Sequence, residues 1–551
     1  MPNLRLPLAR RWRRIISFLS LCLLCFTVAV ACTPPQSSET GTTATDSGSD
    51  RLVYGALTAP RTIDPADSYE TAGVEVIYNL GESLYTYAPG TTDLEPLLAT
   101  EMPTISEDGL TYTIPLREGV TFHDGEPFNA EAMKFSLDRF MQNGGKPAFL
   151  LSDIVETVEA SGEMEVTITL QQPFSAFTAV LAYAGICAVS PEAYAIGAGD
   201  FTPNKFVGTG PYQLAEFGSD SLSLDVNPDY WGEAPTNAGV DIQIYKDNTA
   251  NLFNAFKTGA VDLVYRGLDP EQMTTLKEDA EAGNGQAISA PAAAINYIAL
   301  NHDQAPLDQP EVRQAIAHLI DRELIIDRVF RGEGEPLYSL VPPAFTDYSQ
   351  PAFEEAYGAP DADAALELLA EAGFTPENPA EIEVWHPSAS VTRQQVAQAL
   401  QALAQERLEG AIVFTVQTAD GATFFKNIKD GIYPTSLVGW YPDFLDPDNF
   451  VHPLLSCTEG SESEGCINGA SQNQGAFYYS DRMNELIDQQ RKETDPAVRQ
   501  ELFAEIQTLL AEDIPYIPLW LTTEYVFAQN EIEGLEMNPS QLVYFAMVEK
   551  G

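Results

Sequence analysis

Residues 439–450 read GWYPDFLDPDNF. Asp443, Asp446 and Asp448 lie close together with no basic residue among them, and Trp440, Tyr441, Phe444 and Phe450 alternate with them. An unpaired acid between aromatic walls suits a ligand that brings a positive charge and apolar bulk. The competing reading is that the acids cap turns and the rings fill core. Paired acids can also hydrolyse glycosides. The chain has no HExxH, GxSxG or Walker A motif, however, and Gly144-Gly145-Lys146 lacks both the upstream glycine and the following Ser or Thr of a phosphate loop. The histidines, His123, His302, His318, His386 and His452, show no metal-ligand spacing. The residues therefore point to binding. Neither an enzyme, a resident metal nor a cofactor is expected.

The elements that must hold this stretch follow from its neighbours. Pro442 and Pro447 prevent a regular helix and leave a stiff loop. The apolar run 435–438 reads as a buried strand leading into it. Strand-like runs at 166–170, 242–245 and 295–300 alternate with helical periodicity at 312–329, 362–372, 391–408 and 483–510. That pattern indicates an α/β fold. Within 391–408, Val396, Leu400 and Leu403 recur at core spacing. Residues 107–128, EDGLTYTIPLREGVTFHDGEPF, read as strand (110–116), turn, strand (120–122) and turn. Asn129 then caps a helix running to Phe140. His123, beside Asp-Gly in a turn, reads as structural.

The N-terminus reads as an address. Arg5, Arg10, Arg11, Arg13 and Arg14 precede a 17-residue uncharged run at 15–31, and small residues lead to Cys32. This resembles a lipoprotein signal, with 1–31 removed and Cys32 lipidated. Residues 32–50 are polar and form a tether. The remaining body, about 500 residues, exceeds a single core. The chain carries a net charge of −51. Without the leader's arginines, 24 basic residues face 80 acidic ones. Such a surface excludes nucleic acid, whose phosphates demand a basic face. An exported chain sits where disulfides persist. Cys457 and Cys466, which bracket a polar loop, are expected to pair, and Cys187, in an apolar run, to be a buried free thiol.

The 107–128 segment closely resembles the signature of the family 5 solute-binding proteins of bacterial ABC importers, the peptide, dipeptide and nickel-type binders. Further landmarks follow in order: Ile63-Asp64-Pro65-Ala66, Glu82-Ser83-Leu84-Tyr85, Val207-Gly208-Thr209-Gly210-Pro211-Tyr212, Asn227-Pro228-Asp229-Tyr230-Trp231-Gly232, Gly259-Ala260-Val261-Asp262 and Pro310-Glu311-Val312-Arg313. The resemblance implies a two-lobed periplasmic binding protein fold of type II, with an extra subdomain in the first lobe and a two-segment hinge. On this reading 51–300 is lobe I including the subdomain, 301–514 is lobe II, and 515–551 returns to lobe I. The crossings fall near 299–301 and 514–519. In peptide-binding members an aspartate three residues after a tryptophan holds the ligand's α-amino group. Trp440-Tyr441-Pro442-Asp443 carries that role to Asp443, with Trp440 and Tyr441 as walls, while Asp446 and Asp448 accept turn N–H groups. Relatives hold the peptide carboxylate with a basic second-lobe side chain. His386 and Arg393 lie in the corresponding region, where the local match has a gap. The implied partners are a peptide ligand, an ABC permease and ATPase complex, and a membrane through the lipid. The protein is expected to be a monomer, in the periplasm or at the cell surface. The same fold also serves nickel chelates, sugars, opines and haem, so fold does not choose the solute.

Overall fold

The computed structural model describes residues 50–246, 248–289, 293–537 and 540–551. The leader, Cys32 and the tether up to 49 lie outside the described residues. Among the described residues no helix is long and apolar enough to cross a membrane.

Two large sheets and one small sheet organise the described residues. The first sheet has seven strands, in the order Gln286–Ser289, Tyr525–Ala528, Leu263–Tyr265, Leu52–Ala56, Val240–Ile244, Ser221–Val226 and Tyr212–Phe217. Leu52–Ala56 runs parallel to both neighbours, and the outer pairings are antiparallel. The second sheet has six strands, in the order Glu335–Pro336, Tyr516–Leu521, Ile295–Leu300, Thr435–Trp440, Ala380–Pro387 and Ile412–Ala419. All six residues of Ile295–Leu300 are buried, as expected for a central strand covered on both faces. Its sequence, INYIAL, is apolar but for Asn296 and does not alternate, which is the counterpart of that position.

The small sheet, Thr104–Ile105, Thr111–Pro115, Glu165–Leu170 and Val155–Gly162, belongs to a subdomain that precedes most of the first sheet in sequence. Val166, Ile168 and Leu170 point inward while the residues between them face out, a period of two. The helix Ala130–Gln142 contacts this sheet, and the Asn129 side chain accepts the Ala132 N–H at 3.0 Å. One ion pair ties the subdomain to the opening segment. Arg139 grips Asp64 through two hydrogen bonds of 2.8 and 2.7 Å, with both side chains almost fully buried. The Thr202 N–H adds a third contact to that carboxylate, at 2.7 Å.

The structure departs from the sequence expectations in four places. The periodic run 312–329 is two helices, Pro310–Leu319 and Arg322–Phe330, because Asp321 turns its side chain onto the Leu324 N–H and starts a new helix. The run 483–510 likewise divides into Asp481–Lys492 and Pro496–Asp513. Asp495 caps the second of these, and Pro496 occupies its first turn. In both runs a local cap interrupts an apolar period that continues across it. The third departure concerns the crossings. Residues 299–300 and 516–519 belong to strands of the second sheet, so the chain passes between sheets before Ile295 and after Leu521. Residues 120–122 form only a bridge, Thr121 with Pro127. Cys457 and Cys466 are joined by a disulfide across the hairpin Cys457–Ser461 and Gly465–Gly469, and Cys187 is a buried free thiol.

Candidate functional site

The strand Thr435–Trp440 delivers the acidic loop to the space between the two sheets. Its three aspartates divide into two roles. Asp446 faces inward and is gripped by Arg499 at 2.9 and 2.6 Å, while its Oδ1 accepts the Asp448 N–H at 2.8 Å and caps the short turn Pro447–Phe450. Asp448, 2% exposed, accepts from Gln490 Nε2 at 2.5 Å, with Arg491 at 3.7 Å. Both carboxylates are thus committed to the helices behind the loop, and together they fix its shape.

Asp443 points the other way. It is half-buried and lines a cavity of about 270 Å³. Asn449 steadies its backbone by accepting the Asp443 N–H at 3.0 Å and the Trp440 indole N–H at 3.1 Å. Tyr69, from the opposite side, donates its hydroxyl to Asp443 Oδ1 at 2.5 Å. Among the described residues Asp443 has no ion pair. Burial pushes its carboxyl up to about 6, against the pull of the Tyr69 and Asn449 hydrogen bonds. A carboxylate raised in this way gains from any cation that enters.

Tyr441 lines this cavity and two others, so the three adjoin around one ring. One of these spaces, of about 190 Å³, holds Arg393, Asn296 and the ion pair of Lys277 with Glu333. Arg393 Nη2 donates to Asn296 Oδ1 at 2.9 Å, but its Nε is buried with no partner and no carboxylate pairs with it among the described residues. Burial lowers its guanidinium from the ordinary value. The other space, of about 440 Å³, is lined by Arg266 and Glu524. Arg266 also lines the Asp443 cavity. It sits at a left-handed φ of +60° and donates to the Gln541 carbonyl at 3.1 Å. A bulky residue held in that region stores strain, which clusters at ligand clamps.

Of the residues singled out from sequence, Asp443, Tyr441 and Arg393 line the cavities. Trp440 and His386 do not. Trp440 packs behind the loop and braces Asn449. His386 is 3% exposed within the strand Ala380–Pro387, with Nδ1 3.0 Å from the carbonyl of Pro387. The strand's alternation turns its ring into the lobe, away from the cleft. His123 is structural, bonded to the Gly210 carbonyl and the Gly208 N–H, and burial holds its ring at about 4. Tyr69 and Arg266 escaped the sequence reading. Tyr69 carried no local signal. Arg266 carried one: a lone cation directly after a buried apolar strand in a strongly acidic chain. Among the described residues no three His, Cys, Asp or Glu side chains come together as metal ligands would.

The chain matches, over residues 93–462, the family model described as "Bacterial extracellular solute-binding proteins, family 5 Middle". It is 28% identical to a heme-binding protein A of Haemophilus influenzae, covering 93% of this chain and 95% of the relative. It is 31% identical to a glutathione-binding protein of Escherichia coli, covering 83% and 86%. Among solved structures, the periplasmic binding protein DppA from Helicobacter pylori, in complex with the peptide STSA, superposes with a TM-score of 0.71. The identity is 25%, over 91% of this chain and 98% of that one.

Proposed function

The chain belongs to the bacterial extracellular solute-binding proteins of family 5, with their two-lobed type II fold, and on that premise we propose that it captures short peptides for an ABC importer. The ligand's α-ammonium meets Asp443, and its carboxylate end runs past Tyr441 toward Arg393. The observation that carries this reading is the pair of open charges. Asp443 and Arg393 are opposite in sign, lack ionic partners among the described residues, and line cavities that share one tyrosine. Leaving both unpaired costs free energy that a zwitterionic chain of matching length recovers. A ligand touching both lobes favours the closed arrangement by its differential affinity, with the lobes turning about the two passages between the sheets. A permease and ATPase complex then receives the closed form. Lipidation at Cys32 holds the protein at the membrane surface. The peptide-binding and glutathione-binding relatives support the choice of solute, and the haem-binding relative supplies the rival.

Titration calorimetry tests the reading. Free peptides bind, N-acetylated ones bind far more weakly, and Asp443→Asn costs roughly 2–5 kcal/mol, the loss expected when one partner of a buried charge pair is removed. Equal affinity for free and acetylated peptides overturns the ammonium anchor. A native mass spectrum carrying haem in place of peptide overturns the solute class.

A further inference from the structure

Beside the Asp443 cavity, within the first lobe, lies another of about 190 Å³. The two share Tyr78, Thr86, Tyr87, Ala182, Ala184 and Leu542, so they adjoin across these side chains. The additional walls are mostly carbon and sulfur, with Tyr85 and Met537 buried and Tyr544 and Met547 also lining the space. The rings of Tyr78 and Tyr544 meet edge to face with centroids 5.7 Å apart. One buried carboxylate, Glu82, reaches this space, but its oxygens are already occupied. Tyr230 donates to one at 2.8 Å, and Thr209 and Trp231 donate to the other at 2.7 and 2.8 Å. Glu82 therefore calls for no cation. Glu95 and Glu536 also line the cavity and are exposed.

We infer that this cavity receives the side chain of the ligand residue that bears the ammonium, and that it selects a bulky apolar side chain, aromatic above all. The inference rests on the peptide reading, because Asp443 fixes where that residue sits. An apolar protein cavity of about 150 Å³ holds benzene, so the space takes a phenyl ring. Tyrosine edges favour an aromatic guest, and methionine walls adapt to its outline. An acidic side chain would approach Glu95 and Glu536 and meet like charge.

The test is a series of tripeptides, Phe-Ala-Ala, Ala-Ala-Ala, Glu-Ala-Ala and Lys-Ala-Ala, titrated into the full-length wild-type protein and into Leu97→Trp, which fills this cavity from a wall that the Asp443 cavity does not share. In the wild type, Phe-Ala-Ala binds roughly tenfold to a hundredfold more tightly than Ala-Ala-Ala, and Glu-Ala-Ala binds more weakly than either. In Leu97→Trp the phenylalanine advantage disappears while Ala-Ala-Ala affinity persists. If the variant fails to fold, the wild-type series alone decides. Ala-Ala-Ala binding that depends on Asp443, with no gain for Phe-Ala-Ala, overturns the cavity's role and leaves the peptide reading standing. Lys-Ala-Ala as the tightest ligand also overturns it, since the acidic rim would then outweigh the apolar wall. No binding by any member overturns the peptide reading itself, and this inference with it.

Discussion

The Tyr69 hydroxyl donates to Asp443 Oδ1 at 2.5 Å and so joins residues 374 positions apart. The donor is neutral, so the carboxylate gains a hydrogen bond without losing its unbalanced charge. Tyr69 holds Oδ1 in place at the edge of the cavity. Tyr87 makes a parallel link, accepting the Leu445 N–H with its hydroxyl oxygen at 2.9 Å, and Phe444 seats in the subdomain core against Phe174. The acidic loop is thus clasped from the first lobe at Asp443, Phe444 and Leu445.

Tyr69→Phe removes a hydrogen bond to a charged group, worth about 1.5–3 kcal/mol. Peptide affinity is expected to fall about tenfold or more while the protein stays folded. Calorimetry on the variant checks this, and an unchanged affinity would assign Tyr69 to packing alone.

The raised carboxyl of Asp443, near 6, sets a pH dependence whose sign can be worked out. Ammonium binding needs the carboxylate, so affinity is full above pH 6 and falls about tenfold per unit below it, with a proton released on binding in that range. For the ligand-free protein the sign reverses. A folded value above the ordinary one favours the protonated form, so this group's contribution to stability is greatest at low pH and is lost as pH rises through 6. Asp443→Asn should flatten the binding profile and raise the thermal midpoint at neutral pH. Titrations at pH 5 and 7.5 in buffers of different ionisation heat measure the first effect, and melting curves measure the second.

Arg393→Gln keeps a donor but removes the charge. The wild type should prefer peptides with a free carboxylate over C-amidated ones, and the variant should bind both alike, at roughly one tenth to one hundredth of the wild-type affinity for the free form. A preference that survives in the variant would move the carboxylate site to Arg266, the other guanidinium facing the cleft.

Arg499→Met leaves Asp446 without its cation at a nearly buried position. Breaking a buried pair from one side costs about 3–5 kcal/mol. The chain should melt earlier and bind peptide weakly even though Asp443 is untouched. Asp446→Asn with Arg499→Met should recover part of the stability, which a double-mutant cycle would quantify.

Much of this molecule is legible in its sequence. The strand-like runs at 166–170 and 295–300 and the Asn129 cap are local matters of residue type and hydrogen bonding, and the structure has them where residue order places them. The Trp-x-x-Asp spacing singled out Asp443 through the family resemblance, whereas its neighbours alone left turn capping and ligand binding both open. Where local rules competed, the sequence was ambiguous. Caps at Asp321 and Asp495 divided runs whose apolar period continued through them.

Tertiary structure decided which charges were already taken. Asp443, Asp446 and Asp448 are alike in sequence, and only the positions of Arg499 and Gln490, more than forty residues away, commit two of them and leave the third open. The same holds for the partner Tyr69, for the strained Arg266, and for His386, which strand alternation turns into the lobe. The physical reason is range. Backbone propensity and capping act within a turn or two, whereas the free energy of a charge depends on whatever packing brings within a few ångströms of it.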